Sequence, residues 1–230
     1  TGTTDTDVTP SVKTYEGFTS PEAQTVNVEA DGSRVVKYYY TRNQYTLTLN
    51  AGNGIESVSG SGTYYYGAEV EVSASVKAGY SFENWSNGKT TTGFTYKVPA
   101  VSETITATTT IIPYTITYEL NGGSVSTPNP EGYNVETMLF TLNNPTKVGY
   151  TFVGWSLNGS EPVEVLSINQ GTTGNLEIEA VFEANTNTPY QVEHYKMDLN
   201  GNYGEAFEIE NLTGTTDTDV TPSVKTYEGF

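Results

Sequence analysis

Several small groups of residues in this chain carry side chains able to do chemistry or hold a ligand. Glu177 and Glu179 stand two apart, and Glu161 and Glu164 flank Pro162. Paired carboxylates are the machinery of glycoside cleavage, one acting as acid and the other as base or nucleophile. Here Leu176, Ile178 and Ala180 interleave with the first pair at a period of two, so those acids read as the wet face of a half-buried strand. His194 is the single histidine, and no Gly-x-Ser-x-Gly or Ser/His/Asp set accompanies it. Asp5-Thr6-Asp7, its copy Asp217-Thr218-Asp219, and Asp198-Leu199-Asn200-Gly201-Asn202 alternate oxygen ligands as calcium loops do. The last places Tyr203 where such a loop needs glycine, so all three read as solvated turns. With no cysteine, thiolate nucleophiles and Cys-based zinc sites are excluded as well. The expectation is no catalytic residue, no metal ligand, no cofactor and no enzyme activity.

Aromatic residues offer binding chemistry instead. Trp85 and Trp155 close matching Gly-Tyr-x-Phe-x-x-Trp motifs, where an indole either plugs a small core or stacks on a sugar ring. Core is the expectation, because a module of about 70 residues buries only about 60% of its unfolded surface and needs its largest side chain inside. Tyr38-Tyr39-Tyr40 and Tyr64-Tyr65-Tyr66 differ from them. A strand sends alternate side chains to opposite faces, so at least one tyrosine of each run points away from any core. Exposed tyrosine suits glycan or protein contact, and cross-strand aromatic pairing is the plainer use.

The elements that must position these residues are repeated. Thr1–Phe18 returns letter for letter as Thr213–Phe230, a period of 212 residues from Thr1 to Thr213. Packing does not constrain surface Thr and Asp so tightly, so the match reads as copying of a whole unit and the chain as one period of a tandem array with a short overlap. Within the period three related modules open on a tyrosine and an alternating strand, at Tyr45, Tyr114 and Tyr190. They close on β-rich runs at residues 104–110, 176–182 and 34–40. The third module is split: its opening half lies at residues 190–230 and its closing half at 1–42, while modules 45–110 and 114–183 are whole. Gly79-Tyr80-Ser81-Phe82-Glu83-Asn84-Trp85 and Gly149-Tyr150-Thr151-Phe152-Val153-Gly154-Trp155 mark the whole ones, and Tyr15-Glu16-Gly17-Phe18 is a weaker counterpart. Thr, Val, Ile and Tyr dominate throughout, so the fold class is mainly β. Only residues 136–142 and 161–169 come near a helix pattern, and both carry β-branched residues or proline.

Residues 114–183, with Tyr114-Thr-Ile-Thr-Tyr-Glu-Leu-Asn-Gly-Gly and Pro145-Thr-Lys-Val-Gly-Tyr-Thr-Phe-Val-Gly-Trp155, closely resemble the internalin B-repeat family, also called the Listeria-Bacteroides repeat. Residues 45–110 resemble a divergent member, keeping Gly79-Tyr80-Ser81-Phe82 and Trp85. The split module, with Val192-Glu-His-Tyr195 and Val35-Val-Lys-Tyr-Tyr-Tyr40, is similar to the mucin-binding-protein repeat family, with an abbreviated Tyr15-Glu16-Gly17-Phe18 region. The resemblance implies small β-grasp-like modules in an elongated array on a bacterial surface or in a secreted protein. It carries no catalytic or ligand-binding residue to this chain.

A net charge of −17 and a pI near 4.2 exclude a nucleic-acid partner on electrostatic grounds, and no run of eighteen apolar residues offers membrane insertion. The expected partners are adjacent identical repeats, head-to-tail self-association through the split module, and a mucin-type glycan or host protein bound by avidity. Linkers at residues 41–44 and 111–113 are too short for free tumbling, so the largest bend is expected at the longer joint, residues 184–189. A module of about 70 residues is about 28 Å across, so one period adds about 85 Å with its modules in line. The leading expectation is a stalk or spacer, and the second an adhesive module.

Overall fold

A computed structural model of the chain describes residues 2–230, in two compact units, Thr1–Ile112 and Pro113–Phe230. Among the described residues every regular element is a strand.

In the first unit, β1 (Asp7–Val8) pairs with β3 (Val26–Asn27), and β2 (Phe18–Thr19) pairs with β4 (Thr41–Arg42). The whole module follows as β5 (Gln44–Ala51), β6 (Ile55–Ser59), β7 (Gly62–Tyr65), β8 (Glu69–Val76), β9 (Tyr80–Trp85), β10 (Gly93–Lys97) and β11 (Glu103–Ile111). Its main sheet runs β7-β5-β11-β9, with β5 and β11 parallel at the centre. Parallel neighbours need a long crossover. Here a second antiparallel sheet, β10-β8-β6, lies within that crossover and faces the first. Alternation in β8 makes this possible: Val70 and Val72 point in while Glu69 and Glu71 stay wet. They meet Leu47, Leu49 and Ile105 of the main sheet around Trp85.

The second unit repeats the plan with β12 (Tyr114–Glu119), β13 (Gly132–Tyr133), β14 (Phe140–Thr141), β15 (Tyr150–Leu157), β16 (Ser167–Ile168) and β17 (Leu176–Ala184). Its sheet runs β13-β12-β17-β15, and β12 and β17 are again parallel. The two segments nearest a helix pattern instead contain β14 and β16, which pair Phe140 with Ile168 and turn Leu142 and Ile168 into the core around Trp155.

The Phe-x-x-Trp spacing has a structural meaning. In a regular strand, residues three apart face opposite sides. Both motif strands carry a bulge directly after the phenylalanine: Thr108 and Thr109 face Asn84 and Phe82, skipping Glu83, while Phe182 and Val181 face Phe152 and Gly154, skipping Val153. One extra residue flips the alternation. Phenylalanine and tryptophan therefore share the core face, with ring centroids 6.1 Å apart for Phe82–Trp85 and 5.4 Å for Phe152–Trp155.

The second unit ends in a hairpin of β18 (Thr188–His194) and β19 (Glu208–Gly214), followed by residues 215–230 without a strand. The closing runs expected at residues 104–110 and 176–182 lie in β11 and β17. The third, residues 34–40, joins no ladder among the described residues, although its side chains alternate between exposed and half-buried. Both buried clusters lie in residues 44–111 and 114–184, and among the described residues the flanking pieces, 2–42 and 188–230, contribute no buried apolar side chain.

Candidate functional site

The recurring construction outside the cores is the joint between modules. Each aromatic motif begins at a glycine in the left-handed region, Gly17 (φ 75°), Gly79 (82°) and Gly149 (78°). The following aromatic N–H donates to the carbonyl three residues back: Phe18 to Tyr15, Tyr80 to Lys77 and Tyr150 to Lys147, at 3.2, 3.2 and 3.1 Å. The glycine carbonyl is thereby turned toward the linker. It accepts from Asn43 N at 2.8 Å, Ile112 N at 2.9 Å and Asn185 N at 2.9 Å. The weak motif at Tyr15–Phe18 is thus built like the two strong ones.

At two joints an asparagine ties the flanking pieces together. Asn43 Oδ1 accepts from Thr19 Oγ1 at 2.5 Å and its carbonyl accepts from Tyr66 N at 2.8 Å. Asn185 Oδ1 accepts from Thr151 Oγ1 at 2.6 Å and its carbonyl from Thr216 N at 2.9 Å. The motif glycines touch the next piece directly: a Cβ on Gly17 would lie 2.1 Å from the Tyr66 ring, and one on Gly149 would lie 2.7 Å from Thr216 Cγ2. Arg42 covers the Phe18 ring at 4.8 Å and donates to Tyr66 O at 2.6 Å. At the other joint Tyr150 donates its hydroxyl to Asp217 Oδ2 at 2.6 Å, a bond that raises the tyrosine pKa. The linker singled out for the largest bend carries the same asparagine bonds as the first.

The residues weighed for chemistry are scattered. Both tryptophans are fully buried, with Nε1 donating to Thr91 O at 3.1 Å and to Asn144 Oδ1 at 3.0 Å, so neither indole is offered to a sugar. Tyr38 and Tyr64 turn inward, donating to Pro10 O and Gly60 O, whereas the middle residues Tyr39 and Tyr65 are 77% and 54% exposed. Glu177 and Glu179 stand on the open face of β17 beside Glu119, lining a shallow hollow of about 510 Å³. Asn121 Nδ2 donates to Glu179 at 2.9 Å, while Glu164 contributes a backbone carbonyl to Asn144 Nδ2. Asp198 folds its carboxylate back on the N–H groups of Asn200 and Asn202 at 2.8 and 2.9 Å, and the Asn202 bond foremost holds its pKa low. Asp5 and Asp217 take equivalent left-handed turns. Among the described residues no group of three His, Cys, Asp or Glu is placed to hold a metal ion.

One cluster escaped the sequence reading. Lys225 Nζ donates to Glu208 at 2.6 Å and to Glu210 at 2.5 Å, Tyr227 donates to Glu208 at 2.8 Å, and His194 Nε2 meets Glu210 at 2.9 Å. Glu208 and Glu210 share a face of β19 because they are two apart, and the hairpin register brings His194 opposite Glu208. Lys225 holds both glutamates below the ordinary carboxylate range and is itself pushed up by them. The available signal was the spacing of Glu208 and Glu210; nothing local tied it to Lys225.

Comparison with known proteins agrees with the repeated plan. Residues 114–181 match the family described as Listeria-Bacteroides repeat domain, and residues 45–113 match the divergent InlB B-repeat domain. Over 123 residues, 51% of this chain, the sequence is 31% identical to Internalin H of Listeria monocytogenes serovar 1/2a, and it spans 22% of that relative. The two whole modules are thus similar to B-repeat domains of the internalin type.

Proposed function

We propose that the chain is a period of a spacer in a bacterial surface protein, extending a distal domain away from the envelope. The observation that carries this reading is the repeated joint: the bonds at Asn43 and Asn185 take up linker backbone that would otherwise swivel. The similarity to internalin-type repeats supports an extracellular setting. The parallel pairing of first and last strands in each whole module supports a β-grasp-like reading of the fold. Measuring the maximum dimension of chains of one, two and three periods by small-angle scattering tests the role. Increments of about 85 Å per period are expected. Chains that compact instead of lengthening refute it.

A second reading rests on Tyr39 and Tyr65, whose exposed rings suit glycan or host-protein contact multiplied by repetition. The resemblance to mucin-binding repeats read from residues 190–230 and 1–42 is a sequence reading alone and would favour the same role. Mucin binding by a multi-period chain that disappears in Tyr39→Ala and Tyr65→Ala favours adhesion; its persistence in both variants counts against these tyrosines.

A further inference from the structure

We infer that residues 34–40 of one copy pair in parallel with the open edge of β18 in a second copy joined head to tail, and that the duplicated segment lies between them as one shared strip. This goes beyond the spacer reading and holds for an adhesive array equally.

The whole modules supply the first argument. In each, the opening strand lies between a neighbour and the closing strand: β5 between β7 and β11, β12 between β13 and β17. Among the described residues β18 pairs with β19 on one edge and with no strand on the other, while residues 34–40 have strand-like alternation and no ladder. An open edge and an unladdered strand are complementary sets of backbone donors and acceptors.

The duplicated segment supplies the second, because its two copies use different atoms. The first copy binds residues 19–43: Asp5 N donates to Val28 O at 3.1 Å, Val28 N to Thr6 O at 3.2 Å, Lys13 N to Tyr40 OH at 3.0 Å, and Asn43 N to Gly17 O at 2.8 Å. Its Asp7 and Val8 form a ladder with Val26 and Asn27. The second copy binds the β18–β19 hairpin through the Lys225 ammonium, the Tyr227 hydroxyl and the Thr216 hydroxyl, the last meeting Thr188 at 2.5 Å. Among the described residues no polar atom is bonded from outside the segment in both copies. Burial is complementary too: Val12 and Phe18 are half-buried where Val224 and Phe230 are 93% and 70% exposed, and Lys225 and Tyr227 are half-buried where Lys13 and Tyr15 are exposed.

A hollow marks where the missing piece belongs. In the first copy Val28 packs beside Gly2 and Val8, with its Cγ2 3.0 Å from a Cβ placed on Gly2. At the equivalent Gly214 and Val220, Tyr190 takes part of that place, its Cε1 3.5 Å from a Cβ placed on Gly214, and a hollow of about 210 Å³ remains beside it, bounded by Thr188 and Thr216. In a continuous array one segment serves both sides. Between separate chains the same pairing forms as one of the two segments is displaced.

The test compares the 230-residue chain with a chain in which Phe230 continues directly into Thr19–Phe230 of a second copy. Hydrogen exchange is expected to slow on the order of tenfold or more at the first copy's β18 and the second copy's residues 34–40, both at the seam. Equal exchange in the two chains overturns the inference, whether or not length per period holds. Successive N–H groups of a strand point to opposite edges, so Val36→Pro and Lys37→Pro in the second copy probe both. At least one should return β18 exchange to its single-chain rate while Trp85 and Trp155 fluorescence melts unchanged. Protection that survives both prolines overturns the pairing.

Discussion

The whole modules and the split pieces are made from the same kinds of residue, yet only the former have cores. Residues 44–111 gather Trp85, Leu47, Val72 and Ile105, and residues 114–184 gather Trp155, Ile178 and Ala180, all nearly inaccessible to solvent. Residues 2–42 and 188–230 keep turns, short ladders and a charged cluster. Local sequence accounts for the turns: Thr6 and Thr218 both donate to the carbonyl three residues earlier, and Phe18 and Phe230 do the same. Burial follows where first and last strands meet in parallel, as β5 meets β11 and β12 meets β17; residues 2–42 and 188–230 hold no such pair among the described residues. Sequence-local bonds are therefore present in both kinds of segment, and core burial in one.

The largest effect that sharpens this contrast is truncation of an indole. Trp85→Ala or Trp155→Ala should lower the stability of its own module by about 3–5 kcal/mol, read by denaturant unfolding. Val35→Ala, at a 71% exposed position in a split piece, should stay within about 0.5 kcal/mol. Equal losses would erase the distinction.

Next comes a pair of identical residues in unlike surroundings. Gly17→Ala meets both a left-handed φ and the Tyr66 ring, whereas Gly229→Ala meets only the φ of 82°, with open space around it. The second should cost about 1–2 kcal/mol of local strain and the first measurably more, with loss of the joint. Proteolysis near Asn43 reads the difference.

A smaller effect follows from the Lys225 cluster. Lys225 and then Tyr227 hold Glu208 below its ordinary value of 4.5, and Lys225 and then His194 do so for Glu210. Their contribution is present above pH 4.5 and fades as pH falls through the depressed values. Lys225 is raised from 10.5, so its share is complete below that pH and is lost as pH climbs through its folded value. Carboxyl titration of Glu208 and Glu210 by NMR should shift upward in Lys225→Ala and stay put in Lys13→Ala. The smallest effect is spectroscopic: Tyr118, half-buried and further biased by Glu131, should ionise near pH 12.

Much of the fold is legible in the residues. Alternation in Glu69-Val70-Glu71-Val72 dictates a half-buried strand, and the spacing of Tyr80, Phe82 and Trp85 marks a shared motif. The bulge at Glu83 was not legible, because alternation alone places Phe82 and Trp85 on opposite faces and only the ladder reveals the extra residue. Strand character at residues 34–40 was readable, but its want of a partner depends on residues far away in the chain. The joints were anticipated as short. Their bonds were not, since the Gly17 and Gly149 carbonyls carry no sequence signature of what they accept.

Stretching a chain of several periods with a single-molecule force probe tests the central claim most directly. Three unfolding events per 212-residue period are predicted, one for each whole module and one for the module completed across the seam. Two events per period, with the seam extending at no measurable force, would contradict it.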